Sequence, residues 1–310
     1  MRSLTLAQAL EARGAACAFK ATPEVGHVLD AFAPDAVRTE SDDGFDALVF
    51  DHYGLAAPDH RARARGRPSL VIDDLADRPL AADLVLDSGP TRAAADYAGL
   101  VPESARLLLG PSFAPVRPAF AALRAAALAR RAERPPVRRI LVSLGLTDVG
   151  GITGRVVERL LPRVGEAALD VVLGGGAPSL PELRALAARD PRLSLHIDTQ
   201  DMPRLMLDAD LAVGAGGSTT WERCVLALPT LTLVLAANQA PAAAALAAAG
   251  ATPCLDVAAP DFAPAFDAAI AALLTDPDRR AALSTASAAV CDGLGAPRVA
   301  DAFLQVIREL

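Results

Sequence analysis

The stretch from Gly214 to Gln239, GAGGSTTWERCVLALPTLTLVLAANQ, holds the side chains best suited to chemistry. An apolar strand (Leu211, Ala212, Val213) runs into a glycine turn, then into a helix opening Ser218-Thr219-Thr220-Trp221-Glu222. A helix start leaves about four backbone N–H groups without intrahelical partners, and its dipole adds roughly half a positive charge. Glycines at 214, 216 and 217 let phosphates approach the backbone, with hydroxyls beside them. Glu222, one turn in, is placed to accept hydrogen bonds from the vicinal hydroxyls of a sugar. The pattern is that of a nucleotide diphosphate site without a Walker lysine.

Other polar groups gather where apolar runs end. Thr147 and Asp148 close the segment Ser143-Leu144-Gly145-Leu146 and are either ligand contacts or parts of a plain turn. The same choice holds for Gly174-Gly175-Gly176. Asp51-His52-Tyr53-Gly54 offers proton-transfer groups in His52 and Tyr53, since imidazole titrates near neutrality. The competing reading for His52 is a hydrogen-bonded structural residue, and Tyr53 also suits a substrate contact. The pair Asp73-Asp74 could share acid and base roles or simply cap a turn. Asn238 and Gln239 present adjacent amides, which suit hydroxyl and acetamido groups, with turn capping by Asn238 as the alternative.

These groups need a scaffold, and the chain reads as alternating strands and helices, the signature of parallel α/β units. Strands are expected near 17–20, 47–50, 70–72, 84–86 and 107–109. After an alanine-rich helix over 118–132 they resume at 139–143, 169–173, 193–197, 211–213, 231–235 and 253–255. Glu133-Arg134-Pro135-Pro136 reads as a linker. The expected architecture is therefore two doubly wound Rossmann-like domains facing a cleft, 1–134 and 135–310. The last helix is expected to pack back on the first domain, and ligands to sit at the carboxyl ends of the strands. The chain opens directly into an amphipathic helix over 1–13, with Leu4, Leu6 and Leu10 placed to pack. A doubly wound domain normally puts its central strand before that helix, so a gap is expected in the middle of the first sheet.

Composition narrows the partners. The 310 residues are 52% apolar, yet no run of 18 apolar residues occurs, which argues against a membrane span. No signal-peptide pattern opens the chain. A net charge of −7 and 4% aromatic residues argue against nucleic acid. The basic run over 61–67 reads as a solvated helix face. Cys17, Cys224, Cys254 and Cys291 lie far apart, and the histidines (27, 52, 60, 196) have no metal-ligand spacing. The expectation is a reduced, cytoplasmic protein with no metal and no cofactor.

Taken together, the 214–239 stretch, VIDDLADRP (71–79), DLVLDSG (83–89), DYAGLVPESARLLLGPSFAPVRPAF (96–120) and the opening MRSLTLAQALEARG resemble the PseG family. These are UDP-2,4-diacetamido-2,4,6-trideoxy-β-L-altropyranose hydrolases of pseudaminic acid biosynthesis, related to MurG-like GT-B glycosyltransferases. The resemblance implies a GT-B fold and a metal-independent hydrolase serving flagellin or surface glycosylation. It places Gly216, Gly217, Ser218 and Thr219 around the UDP diphosphate and Glu222 on the ribose. In the family a strand, a glycine-rich loop and a catalytic histidine precede the Met-Arg pair with which this sequence begins. Those elements are absent from this sequence. Either the start lies farther upstream or the chain is short, and in both cases a chain starting at Met1 is expected to be catalytically impaired. The family's Gly-Gly before Thr-Asp reads Gly145-Leu146 here, a departure that could crowd the cleft. A nucleotide-sugar glycosyltransferase and a non-catalytic UDP-sugar-binding protein are the alternative readings.

Overall fold

The computed structural model describes residues 1–309, apart from the side chains of Pro23, Glu24, Val25 and His27. The apolar runs become parallel strands separated by helices. In order these are α1 (Arg2–Glu11), α2 (Pro23–Phe32), β1 (Leu48–Phe50), α3 (Ala57–Ala64), β2 (Ser69–Ile72), β3 (Leu84–Asp87) and β4 (Arg106–Leu109). Next come α4 (Pro118–Ala132), β5 (Arg139–Ser143), α5 (Ile152–Leu160), β6 (Ala168–Leu173), α6 (Leu180–Ala187), β7 (Leu193–Ile197) and α7 (Met202–Asp208). The chain continues through β8 (Leu211–Ala215), α8 (Thr219–Val225), β9 (Thr230–Val234), α9 (Ala240–Ala248) and β10 (Cys254–Asp256). It closes with α10 (Phe262–Thr275), α11 (Pro277–Val290) and α12 (Gly295–Glu309). Two compact units result, Met1–Arg117 with Gly293–Leu310, and Pro118–Asp292.

In the first unit the sheet order is β1-β2-β3-β4, all parallel. Alternate residues of a strand point to opposite faces. Leu70, Ile72, Leu84 and Leu86 therefore pack on Leu6 and Leu10 of α1 and on Val299 and Phe303 of α12. Val71 and Val85 face the other way, onto Phe50, Leu80 and Tyr97. The strand expected at 17–20 is not formed. Phe19 makes one parallel bridge to Arg38, with N–H···O distances of 2.8 Å to Val37 and 3.0 Å from Thr39. An extended segment with one short neighbour has too few ladder bonds to count as a strand. Among the described strands β1 is an edge of its sheet, and Val49 on it is exposed.

The second unit holds a six-stranded parallel sheet of order β10-β9-β8-β5-β6-β7. Its first strand, β5, lies inside the sheet. The chain winds outward through β6 and β7, then returns to the other side of β5 as β8, β9 and β10. This reversal opens a crevice between the carboxyl ends of β5 and β8, the place where open α/β sheets hold ligands. Beneath it lies a core of Ile140, Val142, Leu169, Val171, Val213, Leu231 and Leu233, covered by Val156, Val157, Phe266 and Ile270.

The division by compactness falls at Arg117/Pro118, not at the proline pair of the expected linker. Helix α4 is fastened to the second unit by its arginines. Arg124 donates to the carbonyls of Val225, Ala288 and Cys291, and Arg131 donates to those of Met206 and Leu207. Guanidinium groups thereby satisfy carbonyls that helix ends leave unpaired. Pro135 and Pro136 only turn the chain from α4 into β5. No helix among the described residues is long and apolar enough to cross a membrane.

Candidate functional site

Strand β8 ends at Ala215 and α8 begins at Thr219, so Gly216, Gly217 and Ser218 form the connecting turn. The Gly216 N–H is taken, donating 3.1 Å to Leu233 O on β9. Those of Gly217, Ser218 and Thr219 donate to no acceptor among the described residues. The Ser218 side chain makes no capping bond and is exposed. With three N–H groups and two hydroxyls converging on one turn, the carboxyl end of β8 suits an anion.

The glycines have separate reasons. None of Gly214, Gly216 and Gly217 has a positive φ, so backbone freedom is not what selects them. A Cβ on Gly214 would lie 2.6 Å from the guanidinium carbon of Arg223, and one on Gly216 would lie 3.2 Å from Gln239 Cβ. Only Gly217 faces open space. Gly214 therefore makes room for a side chain of the protein itself, which corrects the reading that all three admit phosphates.

Arg223 carried no signal in the sequence. It is 3% exposed and lies under the turn, because helical side chains lean back toward the N-terminus. Its guanidinium donates to Ala215 O at 2.7 Å and to the hydroxyls of Thr219 and Thr220, each at 3.1 Å. Thr220 in turn donates to Ala215 O at 3.3 Å, which occupies its hydroxyl inward. Thr219 accepts from Arg223 and keeps its own proton to donate. Glu222 sits half-buried one turn along α8.

The neighbouring loops divide between exposed residues and structural ones. Asp148 is 0% exposed, and its two oxygens accept from Thr153 N at 2.8 Å and Ser179 N at 2.9 Å. It ties the start of α5 to that of α6 and offers nothing outward. Burial pushes its carboxyl up, but the bonds from Ser179 and Thr153 outweigh this and hold it below the usual range. Thr147 beside it is exposed, as is Leu146 at 39%. Gly174 takes Leu146 O at 2.9 Å, where a Cβ would lie 2.6 Å from that oxygen, so this glycine serves loop packing. Gln239 Oε1 accepts from Leu235 N at 3.0 Å and fixes the loop after β9, whereas Asn238 is exposed. Turn-holding thus falls to Gln239, not to Asn238.

The first unit gathers a second polar cluster at the carboxyl ends of β1 and β2. Arg2, at the start of α1, donates to Asp51 at 2.7 Å and to Asp74 at 3.0 Å, and Ser3 donates to Asp51. Burial works against the Arg2 charge, but the two carboxylates more than offset it and hold its pKa above the ordinary value. Tyr53 donates to Asp74 at 2.9 Å under the Arg2 guanidinium, and burial together with that bond raises the phenol's pKa. Tyr53 therefore stays protonated and, at 50% exposure, is open to a ligand. His52 Nδ1 accepts from Gly54 N at 3.0 Å, so the neutral ring has no second lone pair with which to act as a base. Asp73 turns inward. It accepts from Tyr97, Arg78 and Ala76 N, while Asp74 faces the cluster. Among the described residues no group of three His, Cys, Asp or Glu side chains could hold a metal ion.

The two parallel sheets with interleaved helices define a GT-B fold, the architecture of many nucleotide-sugar enzymes. The MurG of Acinetobacter baumannii superposes with a TM-score of 0.67 over 98% of this chain and 95% of its own, at 16% identity. A Staphylococcus aureus MnaA structure with UDP gives 0.60 over 100% and 80%, at 13% identity. No protein-family model matches the chain. In sequence the chain is a distant relative of the UDP-2,4-diacetamido-2,4,6-trideoxy-β-L-altropyranose hydrolase of Campylobacter jejuni, the PseG-type protein. The two are 24% identical over 194 residues, 62% of this chain and 67% of that one. The spore coat polysaccharide biosynthesis protein SpsG of Bacillus subtilis is 28% identical over 148 residues, 47% of this chain and 42% of its own length.

Proposed function

We propose that the chain processes a nucleotide sugar in sugar biosynthesis, hydrolysing a UDP-linked 2,4-diacetamido-2,4,6-trideoxy sugar to free sugar and UDP. The observation that carries this reading is the turn after β8, with its three N–H donors and two hydroxyls and with Glu222 one turn beyond. Gly216, Gly217, Ser218 and Thr219 surround the diphosphate, and Glu222 accepts from the ribose hydroxyls. Thr147, Asn238 and the amide nitrogen of Gln239 are left for the uracil and sugar substituents.

Water oxygen bonds to the anomeric carbon. The bond to the diphosphate oxygen breaks, its electron pair leaves with UDP, and the water proton passes to a base. The leaving group is an anion already stabilised, so donors on the diphosphate and a placed water do most of what the step requires. Tyr53 is the substrate contact of the first unit. With His52 Nδ1 engaged, the carboxylates of Asp51 and Asp74 are the bases at that sheet end. The role of the free diacetamido sugar in pseudaminic acid synthesis belongs to the same proposal.

The test is UDP release from UDP-2,4-diacetamido-2,4,6-trideoxy-β-L-altropyranose with no acceptor present. Free sugar appearing with UDP in equal amounts supports hydrolysis. Release that depends on an added acceptor would make the chain a glycosyltransferase. Thermal stabilisation by the substrate without release would make it a binding protein.

A further inference from the structure

Arg223 is a buried cation whose partners are a carbonyl and two hydroxyls. Its hydrogen bonds go to Ala215 O and to the hydroxyls of Thr219 and Thr220, and among the described residues none goes to a carboxylate. Taking a charge out of water without a directly paired carboxylate is costly, and burial lowers its pKa to about 10, an effect that the charge of Glu222 opposes only in part. The surroundings nevertheless fix it in place. Gly214 leaves space for its guanidinium, Thr220 and Ala215 O hold its inner edge, and Thr219 holds the other. Helix α8 has seven residues, too few for a strong dipole, so this guanidinium is the larger positive charge near the turn.

On the reading of the turn as a diphosphate site, we infer that Arg223 is its positioning residue. It supplies from beneath the charge that an anion on Gly217, Ser218 and Thr219 answers, and it aims the Thr219 proton outward. The effect is electrostatic and directional together. A hydroxyl accepting from a guanidinium is a better donor to a second partner, and charge-assisted bonds are about twice as strong as neutral ones. Arg223 need not touch the ligand.

The inference separates phosphate recognition from recognition of the nucleoside. UDP and uridine binding are measured by calorimetry on the natural chain and on Arg223→Met and Arg223→Lys, with circular dichroism on each. The expected result is at least a tenfold loss of UDP affinity in Arg223→Met, about 1.4 kcal/mol, with uridine affinity kept within twofold. Arg223→Lys, which keeps the charge but not the fork, should recover part of the loss. Should Arg223→Met fail to fold, Gly214→Ala, which crowds the guanidinium, gives the same comparison. Equal losses for UDP and uridine would make Arg223 a structural residue only, and unchanged UDP binding would remove it from the site. A natural chain that binds neither nucleotide would overturn the diphosphate reading itself, and this inference with it.

Discussion

A carboxylate's neighbours decide whether it serves a ligand or the fold, and Asp148 of the second unit illustrates the second case. Asp148 has both oxygens engaged by buried N–H groups, so Asp148→Ala strands two donors at about 1–3 kcal/mol each. A urea midpoint that falls accordingly, with UDP affinity little changed once the variant is folded, is the expected outcome. Unaltered stability would show that the two N–H groups find other partners. Glu222 is assigned the opposite role. If it grips the ribose, Glu222→Ala should weaken UDP by roughly 1–3 kcal/mol in calorimetry, and equal binding would refute the assignment. The sequence could not tell these two acids apart. Both stand beside a glycine turn at a strand end, and nothing in the local sequence shows that Asp148 is engaged by the N–H groups of Thr153 and Ser179. Arg223 and Gly214 were hidden for the same reason, since a glycine's spacing says nothing of what fills the place of its missing side chain.

The elements themselves were far more legible. Strands β5 and β7 lie at 139–143 and 193–197, and each shows in the sequence for its own reason: the interior strand β5 carries the buried apolar run Ile140–Val142, whereas the edge strand β7 alternates Leu193, Leu195 and Ile197 with Ser194 and His196. Residues 17–20 have the same look but make a single bridge, since a strand also needs a neighbour, which no local pattern supplies. Strands β2 and β3 show how ends are tied. Tyr97 reaches Asp73 at 2.9 Å and Asp87 at 2.8 Å, all three buried, and Arg78 and Arg92 pair with the two acids. Burial pushes Asp73 up, but Ala76 N–H, the Tyr97 hydroxyl and Arg78 outweigh it and hold the carboxyl low. A carboxyl held below its unfolded value contributes stability that is full above about pH 4 and lost as pH falls through the folded value. Tyr97→Phe removes one of these bonds and brings the Asp73 folded value closer to the unfolded one. It should therefore destabilise at neutral pH and move the acid-unfolding midpoint upward. An acid midpoint that stays put would show that Arg78 and Ala76 hold Asp73 low without the phenol.

At the scale of the whole molecule, the chain leaves its first unit at Arg117 and comes back to it at Gly293. The core of that unit is therefore finished by the last helix. Phe303 and Val299 of α12 close the face on which Leu6, Leu10, Leu70 and Leu86 pack. Phe303→Ala should cost about 3–5 kcal/mol, the usual range for removing a buried phenylalanine side chain. The loss should fall on the first unit. The turn proposed to hold the diphosphate lies wholly in the second, so on that proposal UDP at one hundred times its Kd should raise that unit's stability by about 2.7 kcal/mol. Urea unfolding followed by probes in each unit would then show one transition shifted down by Phe303→Ala and another shifted up by UDP. A single transition moved by both would mean that the two units unfold as one cooperative body, with nucleotide binding stabilising sheet β1–β4 as strongly as its own.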